Sequence, residues 1–178
     1  RLQGRYRLEG ELGRGAHGTT WAAVDEVTGE ALAIKELPLR LGTPDKTIAL
    51  FRREADVLRQ LDHRGIPRLV EALETGSGRT RALWLVMERI DGVTLADHLM
   101  DHRYDADEVL DVIQGVAALL AWLHDRSPPV VHRDVKPGNV LRRPDGGFAL
   151  VDFGAVRDVL RDELGGSTVA GTFGYMAP

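Results

Sequence analysis

The sequence predicts an α+β fold in two lobes, a β-rich lobe followed by a helical one, the division falling near residues 90 and 91. Three observations carry this. Before Asp91-Gly92, short runs of β-forming residues alternate with glycine turns around a single helical stretch. After it, two segments place apolar residues at the helical period, the longer from about Asp105 to His124. Beyond that helix lie only very short apolar strands flanking two polar loops.

Taken in order, Tyr6-Arg7-Leu8 opens a strand that leads into the glycine cluster Gly13-Arg14-Gly15-Ala16-His17-Gly18. Thr19 to Val24 is rich in β-formers, Thr28-Gly29 marks a turn, and Ala31 to Leu37 returns as a strand. Thr43-Pro44 starts a helix, with Thr43 as N-cap and Pro44 at the first helical position. This helix runs to about Leu61 with Phe51, Ala55, Leu58 and Leu61 on one face. Leu69 to Leu73 and Ala82 to Met87 form a strand pair around Thr75-Gly76-Ser77-Gly78, and Asp91-Gly92 reads as a linker. A short helix follows near Leu95 to Met100. On the long helix, Val109, Leu110, Val112, Ile113, Val116, Ala117, Leu119, Leu120 and Leu123 span an arc of about 180°, wide for a surface helix and implying more than one neighbour. Val130-Val131, Val140-Leu141 and Phe148 to Val151 are the short strands.

The 178 residues suffice for one domain with a real core. The 23 basic and 27 acidic residues leave a net charge of −4, with no basic excess to argue for nucleic acid or an anionic membrane. Cysteine is absent, which excludes disulfides and thiolate metal sites. The longest apolar run, Val116 to Leu123, is too short to span a bilayer, and there is no signal-peptide pattern. The chain is therefore expected to be soluble and cytoplasmic.

The densest chemical signal is His132-Arg133-Asp134-Val135-Lys136-Pro137-Gly138-Asn139, with Asp152-Phe153-Gly154 beginning thirteen residues after Asn139. It places two carboxylates, an amine and a carboxamide on two closely spaced loops, the set that phosphoryl transfer from a metal-bound nucleotide requires. One carboxylate can orient a hydroxyl and accept its proton, and the amine can neutralise charge on the moving group. The carboxamide and the second carboxylate are hard oxygen ligands suited to Mg²⁺. The glycine cluster matches G-x-G-x-x-G, which by itself fits a Rossmann site or a plain turn as well as a nucleotide loop. Here a strand, not a helix, follows it, as expected of a hairpin whose backbone N–H groups lie over phosphates.

These residues resemble the catalytic and metal-binding loops of protein kinases, and the resemblance extends over essentially the whole chain. It implies Asp134 as catalytic base, Lys136 as γ-phosphate contact, and Asn139 and Asp152 as Mg²⁺ ligands. It implies that Lys35, in Leu32-Ala33-Ile34-Lys35, contacts the α- and β-phosphates of ATP and pairs with Glu54. Gly13, Arg14, Gly15, Ala16, His17 and Gly18 would cover the phosphates, and Leu12, Thr20, Ala33 and Leu141 would sandwich the adenine. Thr20 stands where valine is usual. In Leu85 to Gly92, Met87 would be the gatekeeper, with backbone groups of Glu88 and Ile90 bonding the base. His132 and Phe153, with Leu58 and Leu69, resemble the apolar stack that aligns the lobes, so His132 is expected to be packed and not to act as a ligand.

Lys136 and the segment Gly171-Thr172-Phe173-Gly174-Tyr175 resemble the serine/threonine branch, and Leu150 to Arg157 with Thr172 to Pro178 the bacterial eukaryotic-like members. The implied activity is transfer of the ATP γ-phosphoryl group to protein Ser/Thr hydroxyls. Arg133 beside Asp134 suggests control by phosphorylation, with Ser167 and Thr168 as acceptors. Two other readings compete with this one. A non-catalytic nucleotide-binding scaffold would show a degraded motif, and none is seen. A small-molecule kinase shares the loop Asp and Asn but normally lacks the Arg-Lys pattern. The chain starts at Arg1 and stops at Met176-Ala177-Pro178, where kinases usually continue with more helices, so residues 91–178 are expected to be a partial helical lobe and the long helix to leave some apolar arc uncovered.

Overall fold

A computed structural model describes residues 1–15 and 18–158. The chain divides into two compact units, Arg1–Gln60 with Pro67–Arg89, and Leu61–Ile66 with the residues from Ile90 onward.

The first unit is built on a five-stranded antiparallel sheet of β1 (Tyr6–Gly15), β2 (Gly18–Asp25), β3 (Ala31–Pro38), β4 (Leu69–Thr75) and β5 (Ala82–Glu88), in the order β1-β2-β3-β5-β4. Each of the first two turns is local: Gly15 pairs with Gly18, and Gly29 at φ 77° closes the β2–β3 connection with its N–H on the Asp25 carbonyl. Alternation then sorts the two faces. Ala23, Leu32, Ile34 and Val86 lie on one, forming a core with Leu2 and Tyr6. At the edge of this core the Arg5 guanidinium grips the buried Asp25 carboxylate, and the Tyr6 hydroxyl donates to Glu71.

Helix α1 (Asp45–Leu58) buries Phe51, Glu54, Ala55, Val57 and Leu58. Its start differs from the sequence expectation. The N-cap is Pro44, with no side-chain cap, because the Thr43 hydroxyl accepts the Arg40 N–H at 2.8 Å and so serves the preceding turn. Its end differs too: the helix stops at Leu58, and Leu61 belongs to the second unit. The strands β4 and β5 each extend past the expected limits, to Thr75 and Glu88.

The second unit contains β6 (Val93–Thr94), α2 (Leu95–Asp101), α3 (Ala106–His124), β7 (Val130–Val131), β8 (Val140–Arg142), β9 (Phe148–Leu150) and β10 (Arg157–Asp158). Two small sheets result, β6-β8-β9 and β10-β7. The pairings of β6 and β10 were not expected from their two-residue patterns. Helix α3 starts on a capping box in which Asp105 accepts the Glu108 N–H and Glu108 accepts the Asp105 N–H. Its C-terminal half buries Leu119 and Leu123, while Val109, Leu110 and Ile113 are exposed among the described residues. Segment Leu61–Ile66 ties into this unit by a bond from the Leu150 N–H to the Gly65 carbonyl at 2.8 Å. Among the described residues, no helix is long and apolar enough to cross a membrane.

Candidate active site

In the first unit, strand register decides which side chains meet. Lys35 lies opposite Thr20 on β2 and Leu85 on β5, and Ala33 lies opposite Met87. Directly paired residues share a face, as do residues two apart along a strand, so Thr20, Ala33, Lys35 and Met87 all belong to the face away from the Ile34 core. On α1, Glu54 precedes the buried Leu58 by about one turn and lies on the same packed side. The Lys35 ammonium reaches both Glu54 oxygens, at 2.9 and 2.7 Å, with the two side chains only 5% and 1% exposed. Ions this deeply buried persist only when paired.

The glycine hairpin closes at Gly15 and Gly18. Gly18 sits at φ 116°, and a Cβ there would lie 2.0 Å from the Glu36 carbonyl oxygen. At Gly13 and Gly15 a Cβ would meet nothing within 4 Å, so the backbone is bare on that side. Arg14 is paired with Glu11 at 2.7 Å, and Ala16 and His17 lie outside the described residues. Leu12 is exposed, Thr20, Ala33 and Ile90 are half-buried, and Met87 is buried. The Glu88 N–H is committed to the Arg68 carbonyl at 2.9 Å, which removes that amide from the groups expected to bond a base.

In the second unit, the loop between β7 and β8 is braced by His132, which is 1% exposed. Its Nδ1 accepts the Asp134 N–H at 3.4 Å, so the proton sits on Nε2, 3.2 Å from the Val151 carbonyl. The ring meets Phe153 edge-on, with centroids 4.7 Å apart. Both functional loops carry non-glycine residues in the left-handed region, Arg133 at φ 66° and Asp152 at φ 60°. Such conformations are held only when surrounding bonds over-determine them, and they cluster at functional sites.

Those bonds are present. The Asn139 amide donates to the Asp134 carbonyl at 2.8 Å and to Asp134 Oδ2 at 2.9 Å. With both amide protons directed to Asp134, Oδ1 of Asn139 is left as an acceptor. The Lys136 ammonium also lies 2.9 Å from Asp134 Oδ2. The β8–β9 register, Val140 opposite Leu150, carries Asn139 alongside Val151, whose N–H bonds the Asn139 carbonyl at 3.0 Å. Asp152 follows directly, its Oδ1 accepting the Gly154 N–H at 3.3 Å. Leu141 is half-buried on β8 and pairs with Thr94.

The structure thus brings together Lys35 with Glu54, and Asp134 with Lys136 and Asn139. The role of Asn139 in orienting Asp134 was not among the sequence expectations. Its signal was a carboxamide five residues after the aspartate, within one loop. Among the described residues no group of three or more His, Asp or Glu could hold a metal ion. Ser167, Thr168 and Gly171 to Tyr175 lie outside the described residues.

A family profile described as the protein kinase domain matches residues 6–178. The serine/threonine-protein kinase PknA of Mycobacterium tuberculosis is 34% identical over 180 residues, covering 99% of this chain and 41% of that protein. The probable serine/threonine-protein kinase PknB of Corynebacterium glutamicum is 32% identical, covering 98% and 27%. Mouse serine/threonine-protein kinase PAK 1 is also 32% identical, covering 98% and 30%. The chain therefore spans less than half the length of these relatives.

Proposed function

We propose, from the premise that this chain belongs to the protein kinase family, that it transfers the γ-phosphoryl group of ATP to serine or threonine hydroxyls of proteins. The observation that carries the reading is the state of Asp134, whose carboxylate is fixed by Asn139 and Lys136 at 2.9 Å each. A carboxylate so oriented can hold an acceptor hydroxyl in line and take its proton as the new P–O bond forms.

The residues fit a nucleotide and a divalent metal. The bare backbone at Gly13 and Gly15 leaves room for phosphate oxygens, which any side chain there would occupy. Lys35, held straight by Glu54, presents a fixed positive charge to the α- and β-phosphates. Asn139 Oδ1 and the Asp152 carboxylate are the hard oxygen donors for Mg²⁺, which supplies charge neutralisation on the phosphates when bound. Lys136 would leave its pairing with Asp134 in part, to follow charge developing on the transferred group. Leu12, Thr20, Ala33, Met87 and Leu141 would enclose the adenine, with backbone of Ile90 and the carbonyl of Glu88 at its edge. A phosphate on Ser167 or Thr168 would pair with the Arg133 guanidinium and so couple phosphorylation to the loop that holds Asp134. The acceptor is protein, not nucleic acid, consistent with a net charge of −4, and the reaction belongs in the cytoplasm, where ATP is supplied.

A transfer assay with γ-labelled ATP and a generic protein substrate tests the assignment. Asp134→Asn should lower the rate by a factor of about 10³ or more while nucleotide binding is retained. Equal transfer by wild type and variant would overturn it.

A further inference from the structure

Away from Asp134 and Asp152, the second unit gathers three arginines from three separate segments around the pair His63 and Trp122. These two rings meet at a tilt of 43° with centroids 4.7 Å apart. Arg126, just beyond α3, lies over the Trp122 indole at 4.3 Å, and its Nε donates to the Trp122 carbonyl at 3.0 Å. Arg143, in the β8–β9 turn, donates to the Arg64 carbonyl at 2.7 Å and pairs with Asp145 at 3.3 Å. Among the described residues, Arg64 and Arg126 have no carboxylate partner.

The local field is positive in a chain whose net charge is negative. After burial, the influences that hold the His63 pKa below its ordinary value are Arg64, Arg126 and Arg143, opposed only by Asp62. Like charges repel, and with only Asp145 paired to Arg143 and Asp62 nearby to offset three guanidiniums, the surface has an affinity for a further anion. Guanidinium forks match phosphate oxygens two at a time. Arg126 is already held by the indole and by a carbonyl, and Arg143 by a carbonyl and Asp145, so little side-chain freedom is lost on binding. Two guanidiniums without carboxylate partners match the two charges of a phosphomonoester, whereas one carboxylate would satisfy only one of them.

We propose that this surface is a docking site for a phosphorylated side chain of a polypeptide, with Arg64 and Arg126 binding the phosphate and Arg143 supporting them. His63 reports occupancy. An anion seated among the arginines relieves their repulsion on the imidazolium, so the titration midpoint of His63 rises on binding.

The test uses a short phosphoserine peptide, the same peptide unphosphorylated, and a version with Glu in place of phosphoserine. Binding is followed by titration and by the pH dependence of the His63 ring resonances. The phosphopeptide should bind about tenfold tighter than either control, and Arg64→Ala and Arg126→Ala should each remove most of that advantage. Both side chains are exposed, and the proposed phosphotransfer rate should be unchanged in either variant. The His63 midpoint should move up with phosphopeptide bound, and inorganic sulfate, which stays dianionic throughout, should move it the same way at higher concentration. Equal binding of all three peptides, or phosphopeptide binding that survives both substitutions, or a His63 midpoint that does not move at saturation, overturns the proposal.

Discussion

Lys35 and Glu54 meet where water is nearly absent, and this fixes what each is worth alone. Each ion offsets much of the cost of burying the other, so the pair is a structural commitment before it is a chemical one. Glu54→Gln leaves a buried ammonium facing a neutral amide and should cost about 3 kcal/mol. Lys35→Met with Glu54→Leu removes both charges and should cost markedly less. Thermal unfolding of the single and double variants checks this, and an unfolding temperature unchanged in Glu54→Gln would refute it. Tyr6 makes a different commitment. Burial first, and then its bond to Glu71, push its phenol up to about 12. The unfolded phenol titrates near ~10. Because the folded value is the higher, the contribution is complete below pH ~10 and is lost as pH rises toward ~12. Chemical unfolding between pH 9 and 12 should show stability falling in wild type, with the fall flattened in Tyr6→Phe.

At the scale of elements, helix α3 holds a glycine, Gly115, where helix propensity alone favours alanine by about 1 kcal/mol. A Cβ at that position would lie 2.2 Å from Cδ2 of Phe148 on β9, far inside van der Waals contact. Phe148 is buried and cannot swing away cheaply. Gly115→Ala should therefore destabilise, by about 1–3 kcal/mol, despite the better propensity. Denaturant unfolding reads this directly, and a stabilised Gly115→Ala would show that α3 and β9 do not pack so closely. The same helix marks how far local pattern reaches. Its start near Asp105 was legible from the apolar period, and there Asp105 and Glu108 close a capping box within four residues. The start of α1 was misassigned because Thr43 had two short-range partners and local pattern cannot rank them; its hydroxyl went to Arg40. The packing of Gly115 on Phe148 and the bond from Leu150 to Gly65 join residues far apart in sequence, and no periodicity announces them.

Across the whole molecule, the two-part α+β fold was legible in the sequence down to most of its strands and helices. Asp134, Lys136, Asn139 and Asp152 stand out by residue type and spacing, as the groups proposed for phosphoryl transfer. The restraints on them, His132 on Val151 and the two left-handed residues Arg133 and Asp152, are set by backbone geometry and carry no sequence mark of their own. The wide apolar arc of α3 raises a further matter of the whole chain. Leu119 and Leu123 in its C-terminal half are covered, whereas Val109, Leu110 and Ile113 are 43%, 53% and 57% exposed. Leu99 and Met100 of α2 are exposed as well, at 50% and 81%. Apolar surface left in water gains about 25 cal/mol for each Å² it buries, so these 178 residues should associate through it. With only these few side chains to bury, the association should be weak and concentration-dependent. Sedimentation velocity should show the weight-average mass rising with concentration, and Ile113→Lys with Leu110→Glu should return the chain to monomer without changing its unfolding free energy by more than about 0.5 kcal/mol, as expected of exposed positions. A monomer at every concentration in the unsubstituted chain would show that this arc does not drive association.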